Sequence, residues 1–447
     1  MSHKHSRRTF LKMAAVGVAG TALAACQVPV QPVGTGAPGE PMKTVRILMP
    51  SWATGEIPFD TAAREFNEAN PGVSVQIQTT FEGWETKVLA QINDGTVEWS
   101  GAGIASSASS SLPRWILSGL ALAMDDYIAA SSVEGAGLML EDMIPTLRTA
   151  STYEGKFWGI PYSFENISFN WRTDYFDAVG ATEPPKTFDE WLEIARALKE
   201  WGADEQIYPT SFIPDLDAST GTLIYGSTDQ PFGDDMLLKW ESEEAIAALN
   251  FYKQMVKDEE LTPPHGFDGW LDAYYAGKVA SVQAQSSRGV WGQLAFGTDK
   301  VTTSPVPVKG VDVPQAGTPF WGNCVSLINQ SPYPQEALDY FIYTMGPQNT
   351  DFQKTVIRTG KTPVYESAYT DIIEADPQFR TYAWMSDMRE QVERSVPRPF
   401  NNYFSIQDTY YRKYIVELVE PDSQMTAEEC AKLILQDSQA EIAKQIA

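Results

Sequence analysis

Few side chains in this sequence are equipped for covalent chemistry. His265 is the one histidine beyond the first five residues. That leaves a Ser-His-Asp hydrolase a single candidate base and removes multi-histidine metal sites. Neither G-x-S-x-G nor H-E-x-x-H occurs, and Gly277-Lys278 lacks both the upstream glycine and the following Ser or Thr of a phosphate-binding loop. Cys324 in a strand-like run and Cys430 on the apolar face of a helix read as buried thiols, with a bridge between them left open by an oxidising compartment. Carboxylates and aromatic rings remain. Glu165 stands in GKFWGIPYSFENISFN, between an aromatic-rich turn and a run that alternates like a strand, and Glu82 follows an earlier strand-like run. Two carboxylates flanking a bond make the acid pair of a glycoside hydrolase. Taken singly, each reads as readily as a capping or solvated acid. The 13 Trp, within 12% aromatic residues, are enough to fill cores and still line a cleft with flat faces. Trp191 and Trp201 fall on an amphipathic helix and belong to packing, whereas Trp52 lies in the loop after the first strand, where open α/β sheets place ligands.

The elements that must position these groups alternate. Val45 to Met49 reads as a strand, and Phe59, Ala62, Ala63, Phe66 and Ala69 recur at helical spacing until Asn70-Pro71-Gly72. Val73, Val75 and Ile77 alternate as a second strand, and Trp84, Val88, Leu89 and Ile92 trace a second helix. Strand, helix, strand, helix implies a mainly parallel sheet covered by helices on both faces. Thr187-Phe188-Asp189-Glu190 is a capping box ahead of the stripe Trp191, Ile194, Ala195 and Leu198, and Thr426-Ala427-Glu428-Glu429 opens the last helix in the same way.

The leading residues speak to location. Ser6-Arg7-Arg8-Thr9-Phe10-Leu11-Lys12 is a twin-arginine export signature, and the apolar run Met13 to Ala25 carries no acid. It is shorter than the ~20 residues a spanning helix needs. Leu23-Ala24-Ala25-Cys26 resembles a lipoprotein cleavage box, so residues 1–26 are expected to be a signal peptide, Cys26 the acylated new N-terminus and residues 27–42 a flexible tether. The 447 residues exceed one ordinary core, so two lobes are expected. The formal charge is −25 although the leader is basic, which argues against nucleic-acid binding.

Six stretches in order, "FNEANPGVSVQIQ", "GKFWGIPYSFENISFNW", "PPKTFDEWLEIARALK", "YYAGKVASVQAQSS", "PFWGNCVSLINQSPYPQEALDYFIY" and "TAEECAKLILQDSQAEIAKQ", resemble the extracellular (family 1) sugar-binding proteins of ABC importers, the group that includes the maltose-binding proteins. The family's Gly-x-x-Pro-Asp turn is replaced here by "DGTVEWSGAGIASSASSS", a departure at residues 95–111. The resemblance implies the α/β, two-lobed periplasmic-binding-protein type II or Venus flytrap fold. Its lobes would be discontinuous, residues 43–165 with 308–358 and residues 166–307 with 359–447, joined by strands of which the first crosses at Glu165 to Asn170.

It also implies ligand capture without catalytic residues, cofactor or metal. Glu165 would hold neighbouring hydroxyls of a carbohydrate, oligosaccharide ahead of monosaccharide, polyol or sugar phosphate. Trp52, Tyr162, Trp291 and Trp321 would offer rings, and Glu82, Ser107, Ser110, Gln285, Ser287, Arg398 and Tyr403 polar contacts. Its partners would be the ABC permease's transmembrane subunits and the membrane through Cys26, with the protein in the periplasm or on the outer face of the cytoplasmic membrane. A secreted glycoside hydrolase and a ligand-free structural lipoprotein of the same fold are the alternatives.

Overall fold

The computed structural model describes residues 41–446, apart from 105–107, 214, 265–268, 311, 314–316 and 402. The leader with Cys26, and His265, lie outside the described residues. Strand β1 (Lys43–Met49) runs into a short helix α1 (Ser51–Glu56), followed by α2 (Phe59–Ala69), β2 (Val73–Thr79) and α3 (Trp84–Asp94). The apolar spacing thus forms the expected strands and helices, and Gly95, with φ 68°, ends α3 in the left-handed conformation that favours glycine. β3 (Gly101–Gly103) is three residues of nearly bare backbone, because a Cβ on Gly101 would lie 2.5 Å from the Phe341 ring.

The long strand β4 (Ile160–Arg172) organises the molecule. The later strands are β5 (Ser211–Phe212), β6 (Ser281–Gln285), β7 (Val301–Ser304) and β8 (Phe320–Ile328). They order as β2-β1-β3-β8-β4-β6-β5, with β7 also pairing β4. Pairs β1/β2, β1/β3 and β5/β6 are parallel, but every pair made by β4 is antiparallel. The sheet is therefore mixed rather than mainly parallel. β4 and β8 return through the middle of the sheet instead of following a strand–helix–strand crossover.

β4 also changes partner and face. Asn166 opposes Phe320 of β8, whereas Ile167 opposes Gln285 of β6. Before that switch Ile160, Tyr162 and Phe164 enter one core, and after it Phe169 and Trp171 enter another. With side chains alternating along a strand, the inward positions pass from even to odd numbers across Glu165 to Ile167. The strand thus leaves one core and joins the next on its opposite face.

The first core draws on Val45 to Phe164 and Phe320 to Val392 together with Val290, the second on Phe169 to Ala280 and Tyr411 to Ile434. The sequence reading grouped 359–447 with the second lobe, but α6 (Trp384–Arg394) lays Trp384, Met385, Met388 and Val392 into the first core. The chain crosses over only between Arg394 and α7 (Tyr403–Val419), which packs beside α8 (Ala427–Ile446) in the second. The second capping box forms, and at the first the Thr187 cap is made while Glu190 Oε2 accepts from Lys186 N instead of Thr187 N. Thr187 Oγ1 accepts from Glu190 N, starting α4 (Phe188–Trp201), and Thr426 and Glu429 bond reciprocally. Cys324 and Cys430 are separate buried thiols, and burial pushes the Cys430 thiol up to about 12. Among the described residues no helix is long and apolar enough to cross a membrane, and no group of His, Cys, Asp and Glu is arranged to hold a metal.

Candidate functional site

Where β4 changes partner, a cavity of about 520 Å³ opens between groups carried by the two cores. On one wall, β1 ends and α1 begins, so Trp52 and Glu56 stand at the carboxyl edge of the sheet. Glu56 pairs with Lys361, whose ammonium lies 5.4 Å from the centre of the Trp52 ring. Lys361 follows Gly360, which holds φ 84° and offers a Cβ only 3.0 Å from Ser287 Cα. Any larger residue there would be strained and would force Ser287 away.

The next wall is helix α5 (Ser287–Phe296), which begins two residues after β6. Ser287 Oγ donates to Glu165 Oε1, and Trp291 Nε1 donates to the Thr359 carbonyl at 3.3 Å. The Arg288 guanidinium lies 4.6 Å from the centre of the Trp291 ring. Beneath Glu165, Asn323 of β8 donates to Ser163 Oγ at 2.9 Å.

The wall belonging to the second core is a charge network. Arg398 pairs with Asp217 and its guanidinium sits 3.5 Å from the centre of the Phe404 ring. Arg412 Nε donates to Asp408 Oδ2 at 2.8 Å, and Asp408 Oδ1 accepts from Leu216 N at 2.9 Å. Asp215 Oδ1 accepts from Ala218 N at 2.6 Å. Burial pushes the Asp215 carboxyl up to about 6; the Ala218 N–H opposes this, Asp408 adds to it, and Arg412 and Arg398 oppose it further. Burial also pulls Arg398 below the usual guanidinium range against the pull of Asp215 and Asp408. A guanidinium beside a carboxylate keeps its proton at neutral pH all the same.

Of the expected residues, Trp52, Glu165, Gln285, Ser287, Trp291 and Arg398 line the cavity. Tyr162, Glu82 and Tyr403 fall elsewhere. Tyr162 is wholly buried, edge-to-face with Phe59 at 5.7 Å, because it shares its strand face with Ile160 and Phe164 and not with Glu165. It offers no ring to a ligand. Glu82 is exposed in the turn before α3 and outside the lining. Tyr403 packs against Leu237, Ile406 and Ile442. Trp321 is the backbone partner of Glu165 in the ladder, Ser110 falls in the helix Ala108–Leu117, and Ser107 lies outside the described residues.

Sequence reasoning missed Glu56, Asp215, Asp217, Arg288, Asn323, Lys361, Asp408 and Arg412. A signal existed for two of them: Arg288 follows Ser287 directly, and Lys361 follows a glycine in Arg358-Thr359-Gly360. Asp408 and Arg412, four apart on α7, look in sequence like any surface helix pair.

The family model described as bacterial extracellular solute-binding protein matches residues 61–381, most of the folded body. The chain belongs to this family. The solute-binding protein is 25% identical over 277 residues to a lactose-binding protein of Rhizobium radiobacter, a match covering 57% of this chain and 61% of that relative. It therefore spans less than two thirds of the relative's length. In structure it is similar to the sugar-binding protein MalE of Xanthomonas citri, with a TM-score of 0.74, 16% identity and coverage of 90% of this chain and 98% of that one. It is also similar to an ABC substrate-binding protein of Listeria monocytogenes in complex with cycloalternan, with a TM-score of 0.72, 18% identity and coverage of 90% and 99%. At these identities the likeness is one of fold: the mixed α/β architecture of MalE-type binding proteins. The family and these neighbours are binding proteins rather than enzymes.

Proposed function

We propose that this solute-binding protein captures a carbohydrate, foremost an oligosaccharide, in the cavity around Glu165 and delivers it to the permease of an ABC importer. The observation that carries this reading is the lining. Two Trp rings and a set of fixed hydrogen-bonding groups surround about 520 Å³, within the ~300–1,000 Å³ usual for ligand clefts. A pyranose turns C–H groups to a ring and hydroxyls to its rim, and this lining answers both. The names of the similar proteins, a lactose-binding protein and MalE among them, point the same way.

Capture requires no chemistry from the chain. Residues 43–165 with 320–394 form one lobe and residues 166–307 with 403–446 the other. The lobes close about β4, β8 and the segment after α6, and closure expels water from around the ligand. Each direct hydrogen bond nets only ~1 kcal/mol, so affinity is spread over many contacts.

Calorimetry against a panel of oligosaccharides, monosaccharides and polyols, with product analysis, tests the reading. Saturable binding without turnover is expected; turnover, or no binding across the panel, overturns it. Glu165→Gln sharpens the test. A hydrogen bond to a charged group is worth ~1.5–3 kcal/mol, so affinity should weaken by about one to two orders of magnitude. Apo melting should hardly move, because Gln keeps an acceptor for the Ser287 hydroxyl. An unchanged dissociation constant with a clear loss of stability would make Glu165 a structural acid.

The export reading belongs to the same proposal: residues 1–26 act as a twin-arginine lipoprotein signal and Cys26 anchors the protein on the extracytoplasmic side of the membrane. Cys26→Ser is expected to move the protein from the membrane pellet to the soluble fraction with its circular dichroism unchanged. Continued sedimentation of the variant with membranes rules out the lipid anchor.

A further inference from the structure

Four cations line the cavity, and three of them are matched by carboxylates of the same wall. Lys361 pairs with Glu56, Arg398 with Asp217 and Arg412 with Asp408. Arg288 differs. Among the described residues no carboxylate forms an ion pair with it, and its guanidinium rests on the Trp291 ring. Its Nε is enclosed and has no hydrogen-bond partner. The nearby Tyr275 phenol is pushed up by burial, against the Arg288 charge and a hydrogen bond with Arg288, and is neutral at physiological pH. It therefore adds no negative charge of its own to match the cation.

An enclosed N–H of a guanidinium without a partner is costly, and such groups in native proteins are normally satisfied. Three residues before Arg288, the carboxamide oxygen of Gln285 is likewise enclosed and without a partner. Both side chains line the same cavity, at the junction of β6 and the helix Ser287–Phe296. One asks for an anionic acceptor and the other for a hydroxyl donor. The acids around them are already engaged: Glu56, Asp217 and Asp408 by cations, and Glu165 by the Ser287 hydroxyl. Asp215 accepts from the Ala218 N–H.

We propose that the ligand is an acidic carbohydrate, a sugar bearing a carboxylate, and that Arg288 is the residue that selects it. Arg suits this task because its planar fork meets a carboxylate with two parallel hydrogen bonds while its face stays on an indole. Gln285 takes a neighbouring hydroxyl of the same sugar. The inference rests on the carbohydrate-binding reading above and narrows its substrate class.

The test compares sugar acids with neutral partners of equal size by calorimetry: digalacturonate with galactobiose, and lactobionate with lactose. At least one acid should bind about tenfold or more tighter than its neutral partner, as a charge-assisted pair requires. Arg288→Met should erase that preference, the acid and its neutral partner then binding alike, and Arg288→Lys should keep part of it. Equal or tighter binding of the neutral partners overturns the inference and leaves the carbohydrate reading standing. A preference that survives in Arg288→Met overturns the role of Arg288. Failure of all four sugars and of the wider panel to bind overturns both readings. Should Arg288→Met not fold, the wild-type comparison and Arg288→Lys still decide.

Discussion

Arg398→Met is expected to destabilise the ligand-free protein by ~3–5 kcal/mol, the usual cost of removing one partner from a buried ion pair. The side chains of Arg398 and Asp217 are only 5% and 11% exposed, so the variant leaves a carboxylate enclosed without its cation. Met keeps apolar contact with Phe404 but has no charge to rest on its ring. Denaturant unfolding followed by tryptophan fluorescence measures the loss. The double variant Arg398→Met, Asp217→Asn should recover most of it, because no uncompensated charge remains. A single variant as stable as the parent would show that solvent reaches Asp217 and that the pair contributes little. The same segment joins α6 to α7 and so links the two cores, which makes Arg398 a fastening of the crossing as well as a wall of the cavity.

Asp215→Asn is expected to act in the opposite direction, and only above mildly acidic pH. In the unfolded chain this carboxyl titrates near its ordinary 3.8, whereas in the folded protein burial raises it to about 6. A raised acid favours the fold in its protonated form. Its contribution is complete below the unfolded value and is lost as pH rises through about 6, beyond which the fold holds an enclosed carboxylate. At ~1.4 kcal/mol for each unit, removing that charge should stabilise the protein by up to ~3 kcal/mol at pH 8. Near pH 4 parent and variant should be alike, since the Asn oxygen still accepts from Ala218 N. Unfolding free energies of both proteins across that range provide the check. A variant that is less stable at every pH would mean that the acid serves the turn through hydrogen bonds alone.

The order of strands and helices and the helix caps at Thr187 and Thr426 were legible in the chain, because each depends on residues within about two turns of one another. Phe59, Ala63 and Phe66 recur on one helix face, Val73 and Val75 alternate, and Thr426 and Glu429 reach each other's backbone across a single turn. Such signals survive without knowledge of the rest of the chain. The place of Glu165 on a strand that passes between the cores was implied by the resemblance of its motif, and β4 changes partner there. The face of Tyr162 was legible too, since it stands an odd number of positions from Glu165 on one strand, but proximity in sequence suggested a shared site where alternation forbids it.

Tertiary structure alone decided which charged groups meet. Glu165 and Ser287 are 122 residues apart, Asp217 and Arg398 181, and Glu56 and Lys361 305. Nothing local marks the members of such pairs: Asp215 and Asp217 read as loop acids, and Lys361 as a surface lysine after a glycine. Their partners are set by how the sheet folds back, with β8 returning antiparallel beside β3 and β4, and α6 closing the first core before the last crossing. Burial, which raises the Asp215 carboxyl and encloses the Arg288 Nε, is likewise a property of the assembled walls. Composition and periodicity determined the strands and helices of a chain too long for one ordinary core, and the motif around Glu165 implied a strand running between two. The cavity's charge pattern arose only when distant segments closed around that strand, because electrostatic partnership depends on distance in space and not along the chain.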